Sequence, residues 1–269
     1  MNAPSPLQPE FVQFGSAHLA AIVALVIVST VLSMTVRYSS SPKARQYICY
    51  GLALFLLAME LFDYIFTVTH NGVEYFLQHQ LPLHVCGIAV YLTAYMLITK
   101  KQLIFEIVYF WALGGTTQAI LTPAVSTGFP SYRFFQFFLA HSAVITGVCI
   151  AVFGLKMRPR LKGLWFTYAL SWLLVFVVGG INTLLDTNYM YLCNPPAGIS
   201  PFYFLQWPWY ILFQSALALV LFFLLWLPFA LRPKPATLKF RLTNTGRGSP
   251  ETTRDKKDGL KLEKPFLYD

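Results

Sequence analysis

Leu81-Pro82-Leu83-His84-Val85-Cys86-Gly87-Ile88-Ala89-Val90-Tyr91-Leu92 opens an apolar run that continues to Thr99 without a single Asp, Glu, Lys or Arg. Its length is close to the ~20 residues a helix needs to cross ~30 Å of hydrocarbon. The run reads as a membrane span, and it decides the fold class. It also places an imidazole, His84, and a thiol, Cys86, just inside hydrocarbon. There an unpartnered polar group costs several kcal/mol and marks either a packed network or a working site.

Outward from this run the chain repeats the pattern. Of 269 residues 56% are hydrophobic and 12% charged, and the mean hydropathy is +0.56, far from the profile of a soluble domain. Apolar segments fall at about 17–36, 46–69, 81–99, 102–122, 134–154, 163–185 and 205–230. The fold expected is all-α, a polytopic membrane protein built as a seven-transmembrane-helix bundle. Residues 1–16 read as an exposed arm without the basic start of a signal peptide. Residues 17–230 form the transmembrane domain, and residues 231–269, polar and punctuated by Pro and Gly, read as a disordered basic tail.

The net charge of +9 does not point to nucleic acid, because the cations avoid the spans and gather between them. Nineteen of the twenty Lys and Arg fall after the first, third, fifth and seventh spans; Arg133 alone lies at the opposite end. That bias predicts an N-out, C-in protein of the cell membrane with a cytoplasmic tail. No internal repeat of the kind found in secondary transporters stands out.

Counting ~1.5 Å per residue from the outer ends places Cys86 and His141 roughly 7 and 10 Å below the boundary. The same count puts Asp63, Gln118 and Asn182 in that layer and Glu60 one turn deeper. Glu60, Asp63 and Thr67 share one helix face. Glu106, near the inner end of the fourth span, is expected to pair with a neighbouring lysine, Lys100 or Lys101. Thr116, Thr117 and Gln118 read as hydrogen-bonding residues between helices. His84 and Cys86, two apart on a helix, would face opposite sides, which makes His84 a supporting residue. Cys49, Cys86, Cys149 and Cys193 show no metal-binding spacing, and a Cys86/His84/His141 site lacks a fourth ligand. No cofactor is expected. Asp186, Tyr189 and Trp207 belong to an outer aromatic cluster that suits either an interfacial belt or the roof of a cleft for a lipid headgroup.

LPLHVC in the third span, QAILTP closing the fourth, a histidine early in the fifth, and GGINTLLDTNYMYLCNPP followed by WPWY resemble the YwaF-like family of bacterial integral membrane proteins. The resemblance runs over about residues 14–230, and LPLHxC and NYMYL are its specific motifs. That family is in turn distantly similar to the eukaryotic transmembrane ether-lipid acyltransferases, seven-span enzymes whose proposed machinery is a Cys and a His. It is more loosely similar to the androgen-induced-type lipid hydrolases, which use Thr and His. Residue by residue, the resemblance implies Cys86 as nucleophile and His141 as its base. It departs from the pattern at Gly87, where a polar or acidic residue is common.

The reading that follows is a thiol-dependent phospholipid acyltransferase or acyl hydrolase acting on membrane lipids, phospholipid or lysophospholipid. Cys86 and His141 would stand within about 3 to 4 Å, with Asp63 behind the imidazole. His84, Glu60, Gln118, Asn182, Asp186, Tyr189 and Trp207 would line the substrate cleft. The amides of a continuous helix are already bonded, so an oxyanion site would need Gly87, Gln118, Asn182 or a bend near Pro82. Two other readings use the same residues. In one, Glu60, Asp63, His84 and His141 form the proton path of a carrier; in the other, the polar layer cements a structural or regulatory membrane protein.

Overall fold

The computed structural model describes residues 9–123, 125–195 and 204–231. The tail expected over residues 231–269 lies outside the described residues except for Leu231. The regular elements among the described residues are helices, apart from an isolated bridge between Glu10 and Thr127.

Eight α-helices make seven apolar passes. They are α1 (Ser16–Tyr38), α2 (Pro42–His79), α3 (Val85–Thr99), α4 (Gln102–Trp111), α5 (Thr117–Leu121), α6 (Tyr132–Cys149), α7 (Leu161–Leu185) and α8 (Trp209–Ala230). A π-helical turn, Ala112–Thr116, joins α4 to α5, and a second, Ile150–Gly154, ends α6. Among the described residues, six helical passes are long and apolar enough to cross a membrane. The other, α3, has only 15 residues. Local sequence starts two of the helices: Ser41 accepts from the Ala44 amide at 3.3 Å ahead of Pro42, and Ser131 accepts from the Phe134 amide at 3.2 Å.

The outside of this bundle is apolar. Val23, Val26 and Ile27 on α1, Leu61 and Phe62 on α2, and Phe176 and Val177 on α7 are all exposed. A soluble protein does not display apolar surface on this scale, whereas acyl chains would cover it. Small residues let the helices approach inside. A Cβ on Gly147 would overlap the Thr93 methyl, and one on Gly154 would press on Val36.

The second and third spans differ from their expected limits for one physical reason. Gly72 interrupts α2 with φ 86° and ψ 167°, a combination open essentially to glycine alone. The chain folds back there: the Tyr64 and Phe76 rings meet at 5.1 Å, and the Gln80 side-chain amide donates to Asp63. In a straight helix those pairs would stand far apart. The span read as 46–69 therefore continues to a turn and returns. Leu81–His84 is an irregular stretch at the depth of Asp63, and the helix read as starting at Leu81 begins at Val85.

Candidate functional site

Because α3 starts late, His84 is its cap residue and Cys86 lies in its first turn. The first intrahelical bond runs from the Ile88 amide to the His84 carbonyl at 3.1 Å. The Val85, Cys86 and Gly87 amides thus precede the first acceptor the helix can offer them. The chain is thus bent near Pro82, ahead of the helix.

The loop after α7 packs on that stretch. Asn182 is buried, and its amide oxygen accepts from the Thr187 hydroxyl at 2.9 Å and the Tyr189 amide at 2.8 Å, while its nitrogen donates to the Tyr189 carbonyl at 2.9 Å. Tyr189, also buried, donates its hydroxyl to the Leu77 carbonyl at 2.8 Å and accepts from the Leu81 amide at 3.1 Å. Their geometry is that of a clamp between the NYMYL and LPLH motifs. Asp186 ends α7 in a left-handed conformation and is exposed. Trp207 is exposed on the rim, with its indole donating to the Leu192 carbonyl at 2.9 Å.

The tautomers of the two histidines follow from their partners. His84 Nδ1 accepts from the Met190 amide at 3.3 Å, so its proton sits on Nε2. His141 Nδ1 faces the Phe137 carbonyl at 2.8 Å, which can only accept; Nδ1 therefore carries the proton and Nε2 is the basic nitrogen. Of these two, His141 has the form of a general base with its far nitrogen already anchored. His84 gives up a hydrogen bond if it takes a proton at Nδ1.

The sulfur of Cys86 accepts from the Thr116 hydroxyl at 3.9 Å and lies within electrostatic reach of Tyr191. Thr116 ends the π-helical turn, a device that often re-aims side chains at working sites. Its sequence signal was the Gly114-Gly115 pair inside an apolar run. His141 stands at the level of Cys86. Thr93 packs on Gly147, and two turns back along each of these parallel helices lie Cys86 and Ala140, the neighbour of His141. No hydrogen bond joins Cys86, His141 and Asp63 to one another among the described residues.

Asp63 has other partners. One carboxylate oxygen accepts from the Tyr132 hydroxyl at 2.9 Å and the Arg133 guanidinium at 3.3 Å, and the other accepts from Gln80. The orienting acceptor expected of Asp63 behind the imidazole is supplied instead by the Phe137 carbonyl. Glu60 is buried one turn deeper beside Tyr64, whose hydroxyl accepts from Tyr91 at 2.8 Å. Gln118 is half-buried on α5, its carbonyl accepting from Thr122 at 2.9 Å. A cavity of about 280 Å³ begins beside Val85 and runs between Gly114, Gly115, Met190 and the inner faces of α7 and α8.

At the cation-rich end, Glu106 is fully buried and pairs with Arg160, not with the lysines beside it. Its oxygens accept from Arg160 Nε at 2.7 Å, Arg160 Nη2 at 3.1 Å, the Arg160 amide at 3.0 Å and Gln102 at 3.0 Å. That bonding pushes the Arg160 guanidinium further up, so it stays charged. Among the described residues, no three His, Cys, Asp or Glu side chains stand close enough to hold a metal ion.

A bundle of apolar passes with an apolar exterior and a buried polar layer defines a helical membrane protein. A family model, the TMEM164 family, matches residues 13–226, and the chain belongs to that family. It is similar to an uncharacterized protein of Treponema pallidum (strain Nichols), 26% identical over 232 residues that cover 81% of this chain and 90% of that one. No solved structure matches it.

Proposed function

We propose that the protein is a lipid acyltransferase or acyl hydrolase of the bacterial cell membrane, oriented N-out and C-in as the cation bias predicts, with Cys86 as nucleophile and His141 as base. The observation that carries this reading is the position of Cys86 in the first turn of α3, beside three amides without intrahelical acceptors. Backbone amides at a helix start are donors of the kind that stabilise charge developing on an attacked carbonyl oxygen. The YwaF-like resemblance, through its distant similarity to the ether-lipid acyltransferases with their Cys and His, implies the same two residues.

In the first step, His141 Nε2 takes the thiol proton and the sulfur attacks an ester carbonyl of a phospholipid. The ester C–O bond breaks, the acyl group becomes a thioester on Cys86, and the lysophospholipid leaves with the proton from His141. A hydroxyl of a second lysophospholipid, or water, then attacks the thioester and returns the proton to sulfur. Thr116 offers an O–H to the sulfur, and the cavity beside Val85 has room for part of an acyl chain. Asp186 and Trp207 lie on the exposed rim where a headgroup would pass. Inward of the polar layer, the core is built of Leu56, Val90, Ala94, Leu97 and Phe110, a wall that argues against a proton or solute path.

The test is acyl exchange by purified wild type, Cys86→Ala and His141→Ala with phospholipid and lysophospholipid in detergent, followed by mass spectrometry. Both variants should lose turnover by about 100-fold or more, while Cys86→Ala keeps its thermal stability. Equal turnover in wild type and Cys86→Ala would remove the nucleophile.

A further inference from the structure

At the cation-rich end, well away from Cys86, a second cavity of about 770 Å³ lies between α1, α4, α8 and the π-helical end of α6. Its body is apolar, walled by residues such as Leu113, Val148 and Val152, and its rim carries Arg37, Lys156 and Arg158. The volume falls within the roughly 300–1,000 Å³ typical of ligand pockets.

The rim cations have no carboxylate partner among the described residues. The ion pairs there are Arg133 with Asp63 and Arg160 with Glu106, and Arg160 saturates the one buried acid at this end. Arg37 donates one nitrogen to the Phe153 carbonyl at 3.1 Å, which fixes its guanidinium at the rim with other donors to spare. Lys156 holds a left-handed backbone position, φ 61°, where glycine would be easier. That turn is pinned by the Leu155 amide on the Ile150 carbonyl at 2.8 Å and the Met157 amide on the Ala151 carbonyl at 2.9 Å. This left-handed helix end holds the Lys156 backbone at the mouth of the cavity.

We propose that this cavity binds one anionic glycerophospholipid, with an acyl chain in the apolar body and the phosphate at Arg37, Lys156 and Arg158. The chain's own C-terminal segment is the wrong occupant by charge: residues 232–269 hold ten Lys and Arg against five Asp and Glu. Cations at a membrane surface select anionic headgroups. The site is separate from the acyl-transfer reading and does not require it.

Native mass spectrometry of the full chain, delipidated in detergent, tests the site by titration with phosphatidylglycerol, phosphatidylcholine or inorganic phosphate. Wild type should retain one phosphatidylglycerol per chain, in preference to phosphatidylcholine, and Cys86→Ala should bind it equally. The combined Arg37→Gln, Lys156→Gln, Arg158→Gln variant should lose affinity by about 100-fold, since each cation near an anionic headgroup contributes roughly fivefold. Single variants, expected to lose about fivefold each, cover a failure of the triple variant to fold. Equal retention of both lipids, unchanged affinity in the rim variants, or displacement of the lipid by inorganic phosphate alone would overturn the proposal.

Discussion

Each end of the bundle holds a carboxylate paired with an arginine, and the two are built differently. Glu106 is fully buried, is gripped through both oxygens by Arg160, and meets Gly163 so closely that a Cβ there would overlap its carboxyl group. Asp63 is held by Arg133 through one oxygen at 3.3 Å, in a cluster closed by a fold-back at Gly72. The Glu106–Arg160 pair staples α4 to the start of α7 and satisfies both carboxylate oxygens. The Asp63–Arg133 pair belongs to the irregular region where α2 turns back, α3 starts late and the π-helical turn presents Thr116. The Glu106 carboxylate is bonded through both oxygens; around Asp63, broken helix and backbone amides without helical acceptors go together. Chemistry needs the second arrangement.

The strongest way to break this contrast is to remove the Glu106–Arg160 staple. Glu106→Ala should lower stability by about 3 kcal/mol, the low end for breaking a buried pair, because the Arg160 side chain is 43% exposed and can turn to water. Thermal unfolding in detergent, followed by tryptophan fluorescence, measures it. A loss below about 1 kcal/mol, the scale of a surface pair, would show that the pair is no staple.

A second, smaller effect comes from Gly72. A Cβ there meets no atom within 4 Å, so Gly72→Ala acts through the backbone alone. The conformation should cost about 1–3 kcal/mol in alanine. A helix that straightened to escape it would draw Gln80 away from Asp63 and shift the start of α3. Hydrogen exchange at residues 80–88 should rise in this variant and stay unchanged in Glu106→Ala; equal exchange in both would mean the fold-back does not position the site.

The seven passes and the shared depth of Cys86 and His141 were legible in the sequence, because hydropathy length and residue count along a helix are local quantities. The fold-back was not. Gly72 sits in a polar stretch, His70-Asn71-Gly72-Val73-Glu74, that reads as an ordinary connection, and no window average records that the chain reverses within the same pass. The partner of Glu106 was missed for a related reason: Lys100 and Lys101 are near in sequence, while Arg160 arrives from another helix start with the fork geometry that fits a carboxylate. Phe137 as the anchor of His141 is a backbone carbonyl four residues back on the same helix, and a reading of side chains alone passes over it.

The smallest effect is expected at Asp63, and it sharpens the comparison most. In Asp63→Asn, the side-chain oxygen still accepts from Tyr132 and Arg133, and Gln80 can turn its amide to offer an oxygen to the new nitrogen. What is lost is charge on an acceptor that keeps its hydrogen bonds, a loss of about 1 kcal/mol, the difference between a charged and a neutral hydrogen bond, whereas Glu106→Ala removes every bond to the carboxylate. Because Arg133 reaches water, that difference should shrink in about 1 M salt, where the screening length is roughly 3 Å. Unfolding of wild type and Asp63→Asn at low and high salt reads both quantities. A loss near that of Glu106→Ala and insensitive to salt would make Asp63 a second buried staple and erase the contrast. A small loss of stability joined to a large loss of acyl exchange would place Asp63 in the chemistry despite its distance in hydrogen bonds from His141. The structure predicts neither: with His141 anchored on the Phe137 carbonyl, Asp63→Asn should retain turnover within about fivefold of wild type, the change expected if only ~1 kcal/mol of positioning energy is lost.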